Sequence, residues 1–168
     1  MQRVVVVGSG GAGKSTFSRR LGALTGLPVV HLDDLYWRPG WEPTPVDEWR
    51  AVQARVVTEP RWIVDGNYSA TLDVRLERAD TVVFLDFPRA LCLSRALWRV
   101  ARNHGRAVQA AGCPERFDGE FIRWIWFYPT RSRPRVLDAI ARHRSHLDLV
   151  CLTRPRDARR WLASSGDG

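Results

Sequence analysis

The sequence predicts an α/β fold in which helices cover both faces of a parallel sheet. Three observations carry this reading. Short apolar runs alternate with helix-period segments along the whole chain, the pattern of successive βαβ units. The apolar runs are nearly continuous, as suits strands buried on both faces. The first of them leads directly into a glycine-rich loop that opens a helix. A chain of 168 residues fits one domain, 1–168, large enough to bury about two-thirds of its unfolded surface without cross-links.

Strands are expected at residues 3–7, 29–32, 62–65, 82–86 and 147–152. Helices are expected at 13–24, 45–57, 72–78, 88–103 and 135–143, with a short last one at 155–162. The second helix has a marked start: Thr44 as cap, Pro45 at the first helical position, and Asp47 and Glu48 against the dipole. In the fourth, Leu93, Ala96, Leu97 and Val100 share one face, and Arg95, Arg99 and Arg102 share another. Residues 104–118 are rich in Gly, Ala and Arg and have no clear period, which marks an insert that is either functional or disordered. With the aromatic stretch that follows, it gives a lid-like insert over about 104–131. The tail from Ser164 is expected to fray.

Composition narrows the partners. The net charge of +8 calls for an anionic ligand, whether nucleotide, nucleic acid or membrane surface. No apolar run reaches membrane-spanning length, and Val4 to Val7 are too few for a signal-peptide core, so a cytoplasmic protein is expected. Cys92, Cys113 and Cys151 are odd in number and lack metal-type spacing, so no disulfide frame or zinc site is expected. Lys14 is the single lysine among 26 basic residues, and it stands where a phosphate-binding loop needs a compact point charge.

That loop is Gly8-Ser9-Gly10-Gly11-Ala12-Gly13-Lys14-Ser15-Thr16, a full G-x-x-x-x-G-K-[ST]. Its glycines let successive N–H groups face a phosphate chain, Lys14 reaches the terminal oxygens, and the Ser15 hydroxyl ligates magnesium. The helix N-terminus adds partial positive charge. Gly8, Gly10 and Gly13 also spell G-x-G-x-x-G, with Asp33 20 residues beyond Gly13, as in a dinucleotide fingerprint. Lys14-Ser15-Thr16 decides against it, because a dinucleotide offers no terminal phosphate or metal for those groups. ATP with Mg2+ is therefore the expected cofactor.

Carboxylates at strand ends supply the remaining chemistry, since ligands of an open parallel sheet bind beyond its carboxyl edge. Asp65 closes Trp62-Ile63-Val64-Asp65 in the manner of a magnesium-holding acid, with Gly66-Asn67 after it. Asp33 is the candidate for the acceptor side, as general base or orienter, and either Asp33 or Asp34 faces the cleft. Asp86 before Pro88 is a candidate for magnesium, for the attacking group or for orienting an arginine; the alternative is that it only fixes the turn into the fourth helix. Two arginine clusters, one at Arg95, Arg99, Arg102 and Arg106 and one at Arg131, Arg133 and Arg135, are candidates to close over phosphates; Arg95 and Arg131 are the expected catalytic pair. Trp37-Arg38-Pro39-Gly40-Trp41 follows Asp33 and could line an acceptor pocket by stacking. The four histidines have no ligand spacing and read as structural.

With these residues in place, the chain resembles the adenylate-kinase-like branch of P-loop kinases, and most closely the topology-modulation proteins. The resemblance covers the glycine loop, Val30-His31-Leu32-Asp33, Trp37 to Trp41, Trp62 to Tyr68, Asp80 to Pro88, and Gly112-Cys113-Pro114-Glu115-Arg116-Phe117 running on to Trp126. It implies a P-loop NTPase three-layer sandwich, a five-stranded sheet in the order 2-3-1-4-5, and a closing lid. Arg95 and Arg99 stand at the spacing of two ATP-contacting arginines in that branch. Where adenylate kinases continue Asp-Gly with Phe-Pro-Arg, this chain has Asn67-Tyr68-Ser69, so the arginine for an AMP acceptor is missing. Residues 33–39 instead resemble the acceptor loop of nucleoside kinases. The implied activity is phosphotransfer from ATP to a small acceptor: a nucleoside, a nucleoside monophosphate or a similar hydroxyl compound. A nucleic-acid-associated ATPase or polynucleotide end-kinase is the alternative.

Overall fold

The computed structural model describes residues 1–165; of the tail expected to fray, residues 166–168 lie outside the described residues. Five parallel strands form the central sheet: β1 (Arg3–Gly8), β2 (Val29–His31), β3 (Trp62–Asp65), β4 (Thr81–Leu85) and β5 (Asp148–Leu152). Their spatial order is β2-β3-β1-β4-β5, so β1 lies between β3 and β4, with Val6 opposite Asp65 and Gly8 opposite Leu85. Val4, Val5, Val6 and Val7 are fully buried, the physical reason that the run lacks polar alternation. Side chains alternate between the two faces. Val5, Val7, Val64 and Phe84 join one apolar cluster, and Val4, Val6, Ile63 and Val83 join the other.

Helices α1 (Lys14–Thr25), α5 (Arg89–Asn103) and α7 (Pro155–Ser164) contribute to the cluster containing Val4 and Val6. Helices α3 (Val46–Val56) and α4 (Leu72–Leu76) contribute to the opposite one. A short α2 (Leu32–Tyr36) follows β2 directly. Helix α1 ends where Gly26 takes a left-handed conformation and returns its N–H to Gly22. On α5 the fully buried positions are Cys92 and Ala96, whereas Leu97, assigned to the packed face from its spacing, is 44% exposed. Thr44 does not cap α3. Its hydroxyl donates to the Tyr36 carbonyl at 2.7 Å and ties α2 to the helix that follows.

The largest departure from expectation is α6. It runs from Gly119 to Arg142, not from 135, so the irregular part of the insert is only 104–118. Prolines at 129 and 134 argue for breaks, since each removes an N–H and crowds the preceding turn. Here burial of Ile125, Tyr128, Ser132, Val136, Ala139 and Ile140 holds one helix through both. Its start is signalled by Asp118, whose carboxylate accepts from the N–H groups of Glu120 and Phe121. Residues 104–118 carry a small antiparallel ribbon, Ala107–Ala110 with Cys113–Pro114, and a second ribbon pairs Trp37–Arg38 with Glu42–Pro43. No helix among the described residues is long and apolar enough to cross a membrane.

One buried cation stiffens the edge of the site. Arg75 on α4 is fully buried and donates to the carbonyls of Gly66 and Asn67 at 2.8 Å and of Tyr68 at 3.4 Å. Desolvation pushes its guanidinium down to about 9. Arg75→Met would leave those carbonyls unpaired and is expected to destabilise the fold by on the order of 3 kcal/mol. Denaturant titration measures this; an unchanged midpoint would refute the role.

Candidate functional site

The glycine loop lies beyond the carboxyl end of β1, held by packing that leaves no room for a side chain at Gly8, Gly10 or Gly11. Gly11 has φ +76°, and a Cβ there would lie 2.1 Å from the Cys92 carbonyl oxygen. A Cβ on Gly10 would meet the Phe121 ring at 2.6 Å, so the start of α6 rests on the loop. Ala12 returns its N–H to Ser9 at 3.2 Å, and Gly13, at φ +91°, leads into α1. Thr16 sits exposed in the first turn of that helix.

Lys14 donates to the Gly8 and Ser9 carbonyls, both at 3.1 Å, so its ammonium folds back over the cradle. Desolvation lowers its pKa, opposed by the negative charges of Asp33 and Asp65. The Ser15 hydroxyl donates to Asp65 Oδ1 at 3.2 Å. Asp65 is 2% exposed and ends β3, beside β1 in the sheet. A hydroxyl and a carboxylate side by side are the hard oxygen donors that Mg2+ takes from a protein when phosphates and water complete its shell.

Sequence reasoning missed His31. Read as structural, it lies with Nδ1 2.5 Å from Asp65 Oδ2, so both carboxylate oxygens are engaged. Its signal was position: it ends β2 in register with Asp65. Donating a hydrogen bond to Asp65 raises the His31 pKa above 6.5. The folded state therefore holds this proton more firmly than the unfolded chain does. The stabilisation is full below pH 6.5 and is lost as pH rises through the raised value. The melting-temperature gap between wild type and His31→Gln should narrow over that rise. A gap independent of pH would refute the pair.

Asp33 and Asp34 lie in the first turn of α2, not at a strand end, because β2 stops at His31. Of the two, Asp33 is the partly buried one: its Oδ1 accepts from the Tyr68 hydroxyl at 2.6 Å, and its negative charge raises the Lys14 pKa. Asp34 is exposed. Tyr68 holds a left-handed backbone at φ 34°, a strained conformation for a bulky residue, and Arg75 grips the carbonyls before it. Around them Tyr36 lies 5.0 Å from Trp49, 4.7 Å from Tyr68 and 4.8 Å from Trp37, ring centre to ring centre. The expected stacking wall is thus partly occupied by its own aromatic packing.

Among the arginines, Arg95 reaches the Ala12 carbonyl at 3.4 Å and lies over the Phe87 ring. Arg99 acts on the Lys14 charge and pairs with the buried Glu115. In the second cluster, Arg133 binds Asp86 through two nitrogens at 2.8 to 3.0 Å, so Asp86 is a neutralised partner and not a free metal ligand. Arg131 lies exposed, its guanidinium 4.7 Å from the Phe127 ring centre.

The strand order decides between the two readings of the glycines. A dinucleotide fold places β2 next to β1, so that the acid ending β2 meets the ribose. Here β3 separates them, and Asp33 is one strand removed. The loop, the order β2-β3-β1-β4-β5 and helices on both faces define a P-loop three-layer sandwich.

No family model matches the chain. The uncharacterized protein YqaC of Bacillus subtilis (strain 168) is 28% identical over 131 residues, covering 76% of this chain and 72% of that one. Among solved structures, the shikimate kinase from Acinetobacter baumannii in complex with shikimate is similar with a TM-score of 0.60. It is 20% identical and covers 98% of this chain and 90% of that one. What the two share at this distance is the fold.

Proposed function

We propose that this chain is a cytoplasmic, ATP- and magnesium-dependent phosphotransferase acting on a small acceptor. The carrying observation is the convergence of Lys14, Ser15–Asp65 and Asp33 at one end of the sheet. Lys14, Gly8 to Gly13 and Thr16 would hold the phosphates, with Arg95 and Arg99 on the nucleotide side and the exposed Arg131 of α6 as the second catalytic arginine. Ser15 and Asp65 would hold the metal, which when bound neutralises phosphate charge. Asp33 would accept the proton of the attacking hydroxyl, its orientation fixed by Tyr68.

Asn67-Tyr68-Ser69 supplies no arginine to an acceptor phosphate, and Arg75 is committed to backbone carbonyls. This favours a nucleoside or similar hydroxyl compound over a nucleoside monophosphate. The kinase activity named for the structural neighbour supports the class, and the motifs of the sequence resemble those of the topology-modulation group. The +8 charge favours, as second reading, a polynucleotide end-kinase or nucleic-acid-associated ATPase. Fluorescent ATP-analogue titration with and without Mg2+ tests the first requirement. Saturable binding strengthened by the metal is expected; no binding would overturn the proposal.

A further inference from the structure

The insert 104–118 touches both sides of the site. Toward the ribbon that follows Asp33, the Trp41 indole N–H donates to the Pro114 carbonyl at 2.9 Å, and the Gly40 N–H donates to the Gly112 carbonyl at 3.0 Å. The buried Cys113 thiol lies 3.2 Å from the Arg38 carbonyl. Gly112, at φ +72°, has no room for a side chain, since a Cβ would lie 3.0 Å from Pro39. Trp41 keeps a left-handed backbone at φ 66°, a strain that persists only where surrounding contacts hold it. Toward the nucleotide side, the next residue, Glu115, is 2% exposed, and its Oε1 lies 3.0 Å from Arg99 Nε without the alignment of a hydrogen bond. Its backbone is fixed by bonds with Gly105 and Arg106, both at 2.9 Å.

From this arrangement we infer that the insert is a tether making the order of the acceptor ribbon depend on occupancy of the nucleotide site, with Glu115 and Trp41 as its positioning residues. The inference rests on the proposed nucleotide site. Arg99 lies over the Phe121 ring at 5.8 Å from its centre, and that ring rests against Gly10 of the loop, so phosphates held there compete with Glu115 for the guanidinium. If Arg99 turned to the phosphates while Glu115 stayed still, a buried carboxylate would be left without its cation, which is strongly unfavourable. Glu115 must therefore move with Arg99, and it cannot do so alone. Pro114 and Gly112 carry Trp41 and Gly40 with them, and so the segment that follows Asp33. By reciprocity, an acceptor that orders the ribbon strengthens nucleotide binding.

Amide hydrogen exchange of the full chain, with and without MgATP, tests this, the P-loop amides reporting binding. In wild type, MgATP should slow exchange in the P-loop and change it at least about threefold at 37–43. Trp41→Phe keeps a ring but loses the N–H; MgATP should still protect its P-loop while the ribbon response disappears. Glu115→Gln removes the competing charge and should bind MgATP more tightly than wild type, again with no ribbon response. P-loop protection without a ribbon response in wild type, or variants that respond as wild type does, would overturn the tether alone. No P-loop protection in wild type would overturn the nucleotide site and the tether together.

Discussion

Lys14→Ala is expected to lower acceptor-dependent ADP release by about 100-fold or more, the scale of a lost transition-state donor. The argument is geometric. Lys14 is the single lysine of the chain, and its ammonium bonds the carbonyls of Gly8 and Ser9 in its own loop. From there a phosphate chain meets it without a large rearrangement. Arg95 and Arg99 come from α5, and Arg95 bonds the Ala12 carbonyl instead of the Gly8 and Ser9 carbonyls that Lys14 holds. Because Lys14 serves charge that develops during transfer, turnover should fall much more than ATP affinity. Turnover near that of wild type would remove the loop from the reaction.

Asp33→Asn should cost about 100- to 10,000-fold in turnover, the range for a positioned general base, with MgATP binding changed little. Asparagine keeps the shape and can still accept from Tyr68, so the loss reports the charge and not the packing. Tyr68→Phe is the companion variant. It removes the 2.6 Å hydrogen bond but leaves the carboxylate, and a smaller loss, on the order of 10-fold, is expected. Steady-state kinetics at saturating MgATP separates them. An Asp33→Asn enzyme as active as wild type would move the base elsewhere; His31 is committed to Asp65.

The five strands and the phosphate loop were legible because their physics is local. Continuous apolar runs locate buried strands, and the glycine pattern specifies a cradle whatever surrounds it. The acceptor side was only half legible. Asp33 was singled out, but its choice over Asp34 depends on where α2 begins, and Tyr68 gave no sequence signal beyond its place after Gly66-Asn67. His31 and Arg75 were missed for the same reason: their partners lie on other elements, at Asp65 and at the 66–68 carbonyls. The α6 boundary was misread because two prolines are strong local evidence of a break. The burial that overrides them is tertiary. Arg133 shows the limit of composition, since clustering alone does not say which candidate arginine is free, and this one binds Asp86.

The central claim is that this site transfers phosphate from ATP to a small hydroxyl acceptor. The most direct test follows ADP release from MgATP against nucleosides, nucleoside monophosphates, small polyols and 5′-hydroxyl oligonucleotides, with Lys14→Ala as control. The account predicts release that depends on a small hydroxyl compound, is strongest in the nucleoside class, and is lost in the variant. Release stimulated only by oligonucleotides would favour the end-kinase reading. ATP binding with no stimulation by any acceptor would contradict the phosphotransferase assignment.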